Sequence, residues 1–319
     1  MEVDTKAGMG INTIKTWALQ AKLRKTLHHY EQALGSPIIL IGMHRSGTSL
    51  TTRLLRQAGG YFGHCLDHNS EAFAYIRIND LLLKHFDAQW FVIPDTLDPK
   101  KLDQTKKPQT IIGQNLKLLN DEFFSKFGSP GTEHKGTAGK PAATKPSLKS
   151  ILTGTIKINR LQPKPWGWKD PRNTITLGVW LSLFPNAKVI HVIRNGVDVA
   201  FSLWRRAHKY GDGTPECLDL MYCFHLWEKY TDAGLSWKHF LGEQYFEFKY
   251  EDLLTTPEDT LLKMEQFLSW PDLTKKIKLE SLDKDRIGHD SWNNHPELLE
   301  AASRSDLFNA LYPNFLTSS

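Results

Sequence analysis

The stretch GMHRSGTS, which begins at Gly42, has the residue types and spacing of a loop that binds phosphate groups. Gly42 and Gly47 are spaced as in the phosphate-binding loops of nucleoside triphosphatases, and Ser49 is the hydroxyl residue expected after them. Thr48, however, replaces the lysine that neutralises the β- and γ-phosphates in those enzymes. The guanidinium of Arg45 can bind phosphate or sulfate oxygens instead. The loop therefore predicts binding of a phosphate or phosphosulfate without a magnesium–γ-phosphate apparatus.

Two further motifs place cations beyond the ends of predicted strands. In VIHVIRNGVDVAFSLWRR, Arg194 ends a strand and Ser202 lies between one and two turns into the next helix. In WGWKDPR, Lys169 ends another strand. Ligands of open α/β sheets bind beyond the carboxyl ends of the strands, so Arg194 and Ser202 can converge on a second phosphate. The alternative for the first motif is an ion pair between Arg194 and Asp198 with Ser202 facing solvent. The alternative for Lys169 is a solvated surface lysine.

The elements that must position these residues alternate between strands and helices. The apolar runs SPIILIG, AKVIHVIR and YFEFKY predict buried strands, and KPWGWKD predicts the end of another. The unit of strand, glycine-containing loop and helix around residues 36–60 is the setting that a phosphate-binding loop needs. We predict an α/β fold with a P-loop-like central parallel β-sheet flanked by helices on both faces.

Helices are predicted from apolar periodicity and from start and stop signals. In TTPEDTLLKMEQFL, Thr256 is the expected N-cap, Pro257 the first-turn proline and Asp259 the partner in a capping box. The other predicted helices are 11–34, TSLTTRLLRQAGG, 71–87, roughly 106–125, 172–184 and one that begins near Val197.

The 319 residues predict a single domain over 1–319, because the motifs on both sides of the polar stretch 126–150 belong together. Residues 1–35 form an N-terminal helical extension in this prediction. Residues 126–150 are dominated by Gly, Pro, Ser, Thr, Ala and Lys, and they predict a flexible low-complexity insertion. Residues 88–150 are expected to hold much of a substrate pocket or its lid, since long loops often carry specificity.

The composition is typical of a soluble globular protein, with a mildly basic net charge of +5. Three cysteines are too few for a disulfide framework and favour a reducing compartment. The N-terminus lacks a signal-peptide pattern, and no apolar run approaches the roughly 20 residues of a transmembrane helix. We therefore expect a cytoplasmic protein that does not span a membrane. The basic runs are short and favour solvated helix surfaces over a nucleic-acid interface.

Four motifs together resemble the PAPS-dependent sulfotransferase family, whose donor is 3′-phosphoadenosine 5′-phosphosulfate (PAPS). RSGTS resembles the 5′-phosphosulfate loop of that family, and RNGVDVAFS resembles its 3′-phosphate motif. KDPR is similar to the KDP segment of the tyrosylprotein sulfotransferase branch, so the resemblance points to a bacterial-type, tyrosylprotein-like branch. KYEDLLTTPEDTLLKMEQFLSWP resembles a segment near the C-terminal end of the family. The resemblance covers about residues 37–270 in the order of the family.

The resemblance implies roles for the residues of these motifs. Lys169 would stabilise the bridging oxygen as the S–O bond breaks, and no metal would be required. Arg286, in DRIGHD, is similar to the arginine of a family loop that contacts the 3′-phosphate. Leu50 replaces the tryptophan that stacks on adenine in cytosolic members. The phosphosulfate would be bound by Arg45, Ser46, Gly47, Thr48 and Ser49, and the 3′-phosphate by Arg194 and Ser202.

The acceptor, a hydroxyl or amine of unidentified chemistry, needs a base, and family members use His or Glu. The context of Glu71, followed by Phe73 and Tyr75, is similar to that of the catalytic glutamate in the glycosaminoglycan branch. Asp67 lies nearer the loop-to-base spacing of the tyrosylprotein branch. The further candidates are His64, His68 and Asp170. The structural alternative for Glu71 is a helix N-terminal carboxylate stabilised by the macrodipole.

Two other functions fit the same fold. A P-loop kinase-like phosphotransferase would need a lysine at position 48 and an acidic strand end, and the chain has Thr48 and Arg194 there. A catalytically silent nucleotide-binding protein is the second alternative, and Lys169 argues mildly against it. The spacing of His64 and His68, with Cys65 and Asp67 between them, resembles part of a metal site, but no further ligand cluster accompanies them.

Overall fold

In the computed structural model of the protein, the structure describes residues 27, 31, 34–63, 65–95, 97–104, 106–115, 119, 165–211, 214–282 and 294–315. The predicted insertion over 126–150 and most of the predicted extension over 1–35 lie outside these ranges. Arg286 and His64 also lie outside them. Leu27, Glu31 and Leu34 are helical, as the prediction of a helix over 11–34 requires.

The described residues contain a parallel sheet of four strands: β1 (Ile38–Ile41), β2 (Gly167–Lys169), β3 (Lys188–Ile193) and β4 (Tyr245–Lys249). The strand order is β2-β1-β3-β4, and every neighbouring pair is parallel. In register, Leu40 of β1 lies between Lys169 of β2 and Ile190 of β3. Parallel alignment brings the carboxyl ends of β1, β2 and β3 to one edge, where Lys169 ends its strand and Arg194 follows another.

Helices cover both faces of the sheet, because β1 is apolar at every position and alternates its side chains between two cores. Ile39 and Ile41 belong to the larger core, and Ile38 and Leu40 to the smaller one. The helices that contribute to the larger core are α2 (Phe73–His85), α4 (Asn173–Leu183), α5 (Gly196–Tyr210), α6 (Leu220–Leu235), α11 (Pro296–Arg304) and α12 (Asp306–Leu311). The smaller core is covered by α1 (Thr48–Gln57), α8 (Tyr250–Thr255), α9 (Pro257–Leu268) and α10 (Leu273–Lys276). The predicted α/β fold with helices on both faces is confirmed.

Two further α-helices and four 3₁₀ turns complete the elements that the structure describes. They are α3 (Lys106–Gln114), α7 (Lys238–Leu241) and the 3₁₀ turns Pro99–Gln104, Pro215–Leu218, Gly242–Gln244 and Leu279–Ser281. Four of them also contribute a buried residue to the larger core: Leu102, Ile112, Cys217 and Leu241. Across the described residues, no helix combines the length and apolar character needed to cross a membrane.

Aromatic residues make the larger core rigid beside the sheet edge. The rings of Tyr75 and Trp168 are stacked with centroids 4.3 Å apart, and Trp180 meets Trp168 edge-on at 5.0 Å. Each of these side chains is at most 2% exposed. Burial of their apolar surface therefore stabilises the core in addition to the contacts between the rings. The core therefore fixes α2 and α4 against β2, next to the predicted site residues.

The predicted capping box at the start of α9 is wrong. Thr256 is the N-cap residue and Pro257 is the first helical residue, as predicted, but the Thr256 side chain does not cap the helix. Its hydroxyl donates to the carbonyl oxygen of Asp252 at 3.1 Å instead. Because α8 ends at Thr255, immediately before Thr256, the last turn of α8 supplies a carbonyl that binds this hydroxyl.

Candidate functional site

A cleft of about 470 Å³ lies at the carboxyl edge of the sheet. It brings together residues of all three predicted motifs, which are distant in sequence. The predicted site residues that line it are Arg45, Gly47, Thr48, Ser49, Glu71, Lys169, Arg194 and Ser202. Its lining holds more cationic than acidic side chains, so the cleft suits an anionic ligand.

The loop between β1 and α1 has the backbone of an anion cradle. Gly47, the N-cap of α1, has φ of 99°, and a Cβ at this position would lie 2.1 Å from the Tyr250 ring. Glycine is therefore required here both for the left-handed backbone and for space. The first turn of α1 has no acidic residue and no side-chain cap, so its positive end faces the cleft. Ser46 is buried, and its hydroxyl donates to the carbonyl oxygen of Met43 at 2.6 Å, so its side chain holds the loop.

The loop and the Arg194–Ser202 motif are joined directly. Nε of Arg45 donates a hydrogen bond to Oγ of Ser202 at 3.0 Å, and Nη1 of Arg194 donates to the Arg45 carbonyl oxygen at 3.2 Å. The Arg194 guanidinium also lies 3.3 Å from Asp198 and 4.8 Å from the centroid of the Tyr250 ring. The predicted ion pair with Asp198 thus exists, and Arg194 still lines the cleft.

Lys169 forms a buried cluster with Glu71 and Arg172. Its ammonium lies 2.8 Å from Oε1 of Glu71, and Nη1 of Arg172 lies 3.4 Å from Oε2. Burial and Asp170 raise the pKa of Glu71 to about 7, against the lowering effect of Lys169 and Arg172. Lys169 is 1% exposed, so the alternative of a solvated surface lysine is wrong. The carboxylate of Glu71 contacts these cations rather than capping α2, whose N-cap is Ala72.

The other base candidates have different surroundings. Asp67 accepts hydrogen bonds at Oδ1 from the backbone N–H of Glu71 at 2.7 Å and of Asn69 at 2.9 Å, so it shapes the turn before α2. Asp170 is fully buried and bonded to Arg172 and to Asn79. His68 lines the cleft with an exposed side chain. Glu71 therefore differs from Asp67 and Asp170 in lining the cleft while lying beside Lys169.

Four residues of this region were not among the predicted site residues: His44, Arg172, Arg205 and Arg206. Of these, His44, Arg205 and Arg206 line the cleft. Arg205 and Arg206 follow Ser202 by three and four positions on α5, so they lie on the same face of that helix as Ser202. This spacing could have predicted them as residues of the cleft. Arg172 is the last residue of the KDPR motif and ion-pairs with Glu71, Asp170 and Asp80.

His44 is an imidazole in a strongly positive environment. Its ring centroid lies 4.2 Å from that of Trp90 and 6.4 Å from that of Tyr230. Burial, followed by the charges of Arg172, Lys169 and other nearby arginines, holds the pKa of His44 well below its ordinary value. The imidazole is therefore neutral at pH 7. Within the described residues, its Nε2 is buried and has no hydrogen-bond partner.

The described side chains also bear on metal binding. In the part of the chain that the structure describes, no group of three or more His, Cys, Asp or Glu side chains is arranged to hold a metal ion.

The sequence is also similar to known proteins. A sequence model of the sulfotransferase family matches residues 37–274. An uncharacterized protein of Aquifex aeolicus (strain VF5) is 25% identical over 240 residues, which make up 74% of this chain and 26% of that protein. The chain thus spans about a quarter of the length of this relative.

Two solved structures are similar as well. The sulfotransferase domain from the curacin biosynthetic pathway is 16% identical, with a TM-score of 0.44 over 84% of this chain and 96% of its own. A sulfotransferase from Alicyclobacillus acidocaldarius is 15% identical, with a TM-score of 0.44 over 89% of this chain and 98% of its own. Because the family model matches well over half of the 319 residues, the chain belongs to the sulfotransferase family.

Proposed function

We propose that the protein transfers a sulfuryl group from PAPS to a hydroxyl or amine of an acceptor, and leaves adenosine 3′,5′-bisphosphate. The observation that carries the proposal is the hydrogen bond between Arg45 and Ser202, because it brings the two expected phosphate-binding motifs into one cleft. Membership of the sulfotransferase family supports the reaction class. The assignment to a tyrosylprotein-like branch stays a prediction.

The residues of the cleft fit a doubly phosphorylated, sulfated donor. Gly47 has the left-handed backbone that the loop requires, and the backbone amides of Gly47, Thr48 and Ser49 lie at the N-terminus of α1, whereas the Ser46 N–H donates to the carbonyl oxygen of Met43 at 3.2 Å. Arg45 and the amides at the N-terminus of α1 would hold the phosphosulfate, whereas Arg194 and Ser202 would hold the 3′-phosphate. Arg206 lies four residues after Ser202 and lines the same cleft, so it would add positive charge to this end. Arg286 stays a predicted contact, because it lies outside the described residues.

The chemistry requires a base for the acceptor and positive charge at the leaving phosphate. When bound, the donor supplies the sulfuryl group and an adenosine 3′,5′-bisphosphate leaving group. In our proposal Glu71 removes the proton from the attacking hydroxyl or amine, whose lone pair forms the new bond to sulfur. The S–O bond to the phosphate breaks, its electron pair stays on the phosphate oxygen, and Lys169 stabilises that charge. A Glu71 pKa of about 7 suits this role near neutral pH.

Asp67 is the second base candidate, and its contacts make it the weaker one. Both of its carboxylate oxygens accept hydrogen bonds from the turn that precedes α2, and it does not line the cleft as described. Its replacement is therefore expected to disturb the placement of Glu71 rather than to remove the base.

Nucleotide binding tests the proposal without knowledge of the acceptor. Calorimetry should show binding of adenosine 3′,5′-bisphosphate in the presence of EDTA, since no step in the proposal uses a metal. Radiolabelled PAPS and a panel of hydroxyl and amine acceptors would then reveal transfer, and Glu71→Gln should bind the nucleotide but lose transfer. Binding of Mg²⁺–ATP together with indifference to adenosine 3′,5′-bisphosphate would contradict the proposal and favour the kinase-like alternative. Nucleotide binding with no sulfuryl transfer, either to an acceptor of the panel or to water, would favour the silent alternative.

A further inference from the structure

Glu71 is shared by two cations, one on each carboxylate oxygen. Nζ of Lys169 contacts Oε1 at 2.8 Å, and Nη1 of Arg172 lies 3.4 Å from Oε2. All three side chains are largely buried. A buried carboxylate is stable only when it is paired, so the two cations together compensate the charge of Glu71.

The two cations are anchored very differently. Among the described residues, Glu71 is the only side-chain partner of Lys169, whose ammonium sits on a flexible stem. Arg172 is held by two further carboxylates: Nη1 lies 2.9 Å from Asp170 and Nε lies 2.8 Å from Asp80, and the backbone N–H of Arg172 also donates to Asp170 at 2.9 Å. Lys169 can therefore change partner more easily than Arg172.

We propose that Arg172 is a positioning residue that keeps the Glu71 carboxylate in place and paired when Lys169 turns from Glu71 to the leaving phosphate. The inference rests on the proposed function, in which Lys169 contacts the donor and Glu71 takes the proton of the acceptor. One residue pair, Lys169 and Glu71, cannot serve both tasks alone, because the departure of Lys169 would leave a buried carboxylate uncompensated.

The charged groups around Glu71 define what Arg172 contributes. Burial and Asp170 favour the protonated form of Glu71, and Lys169 and Arg172 favour the ionised form. From α6, the phenol of Tyr230 also faces this cluster. Without Arg172, the movement of Lys169 towards the nucleotide would leave no cation beside Glu71 among these groups. The pKa of Glu71 would then rise further, and a smaller fraction of Glu71 would be ionised at neutral pH and able to act as a base.

Titration of Glu71 tests this inference without an acceptor. The signal is the side-chain carboxyl ¹³C resonance of labelled glutamate, assigned by its loss in Glu71→Gln, with and without adenosine 3′,5′-bisphosphate. We expect Arg172→Gln to raise the midpoint by about one pH unit or more. Addition of the nucleotide should raise it further in Arg172→Gln than in the wild type, because only the variant then lacks both cations. Arg172→Lys, which keeps the charge but not the planar fork, should give an intermediate midpoint.

Asp80→Asn is the matched control. It removes one anchor of Arg172 at a half-exposed position but leaves the contact between Arg172 and Glu71. Its Glu71 midpoint should stay close to that of the wild type. If Arg172 only linked α2 to α4 through Asp80, Asp80→Asn and Arg172→Gln would behave alike, and that result would overturn the inference.

The two proposals fail in different ways. An unchanged Glu71 midpoint in folded Arg172→Gln and Arg172→Lys, with normal nucleotide binding, would overturn the role of Arg172 and leave the proposed function intact. Absence of nucleotide binding in the wild-type protein would overturn the proposed function. Circular dichroism of each variant establishes that it is folded, and Arg172→Lys keeps the test decisive if Arg172→Gln does not fold.

Discussion

Nε of Arg45 donates a hydrogen bond to Oγ of Ser202 at 3.0 Å, across 157 positions of the sequence. Arg194 reinforces this link through the Arg45 carbonyl oxygen. The loop after β1 and the start of α5 are therefore held together by hydrogen bonds within the protein. In our proposal the nucleotide bridges these two segments, so their mutual attachment would lower the entropic cost of binding.

Arg194→Ala is expected to weaken binding of adenosine 3′,5′-bisphosphate by about 10- to 100-fold, because a charge-assisted hydrogen bond contributes about 1.5–3 kcal/mol. Binding of adenosine 5′-monophosphate, which has no 3′-phosphate, should change much less. Calorimetry with both nucleotides measures the difference. Arg304→Ala removes an exposed arginine of α11 and should change neither affinity. Equal losses for the two nucleotides would show that Arg194 does not bind the 3′-phosphate.

Gly47→Ala is expected to destabilise the protein and to abolish nucleotide binding. The added Cβ would combine backbone strain of about 1–3 kcal/mol with a collision against the Tyr250 ring. Urea unfolding gives the stability, and calorimetry gives the affinity for adenosine 3′,5′-bisphosphate.

Gly59→Ala is the control that separates the effect of backbone strain from that of the collision with Tyr250. Gly59 has φ of 103°, but its Cβ would meet nothing within 4 Å. This variant should lose some stability through strain and keep the nucleotide affinity of the wild type. If Gly47→Ala bound the nucleotide as well as Gly59→Ala does, the loop would not be the phosphate cradle.

Asn79→Ala is expected to lower the free energy of unfolding by about 2–4 kcal/mol, because one or two buried polar groups would lose their hydrogen-bond partner. The fully buried Asn79 amide donates to Asp170 at 2.9 Å and accepts from Trp180 at 2.9 Å and Thr176 at 2.8 Å. Urea unfolding measures the loss. Asn309→Ala, at an exposed position of α12, should change stability little. A similar small effect in both variants would mean that the network around Asn79 rearranges at low cost.

His191 is expected to make the protein less stable as the pH falls below about 6.5. Burial lowers the pKa of this imidazole to about 3, so the unfolded chain takes up a proton that the folded protein does not. Between pH 7 and pH 5 this proton costs about 2 kcal/mol of stability. Urea unfolding at both pH values should show that the change in stability from pH 7 to pH 5 is about 2 kcal/mol more favourable in His191→Gln than in the wild type. The comparison of the two proteins cancels the effect of Glu71, whose raised pKa acts in the opposite sense between pH 4.5 and 7.

Tyr245→Phe is the control for this pH dependence. The Tyr245 hydroxyl lies 2.6 Å from Nδ1 of His191, but burial rather than this hydrogen bond lowers the pKa. In Tyr245→Phe the free energy of unfolding should therefore change with pH as it does in the wild type. If the contribution of His191 to this pH dependence were lost in Tyr245→Phe, the hydroxyl would be its cause.

The class of fold and the three motifs at the strand ends could be predicted from the order of the residues alone. Apolar runs such as IILI, which predict strands, and the apolar periodicity that predicts helices are local properties of the sequence. A parallel sheet necessarily gathers the carboxyl ends of its strands at one edge. This is why Arg45, Lys169, Arg194 and Ser202 could be expected near one another. The capping box at Thr256 failed because its hydroxyl had a second acceptor in the preceding helix, which a local pattern does not reveal.

The contacts between side chains inside the cleft, in contrast, follow from the packing of the elements. Glu71 and Lys169 are 98 positions apart, and their contact depends on β2 lying beside β1 and on the packing of α2 against α4. The burial of His44 likewise depends on Trp90 and Tyr230, which come from separate segments. Sequence spacing specifies which face of an element a residue occupies, whereas its neighbours, and therefore its pKa and partners, depend on how the elements pack.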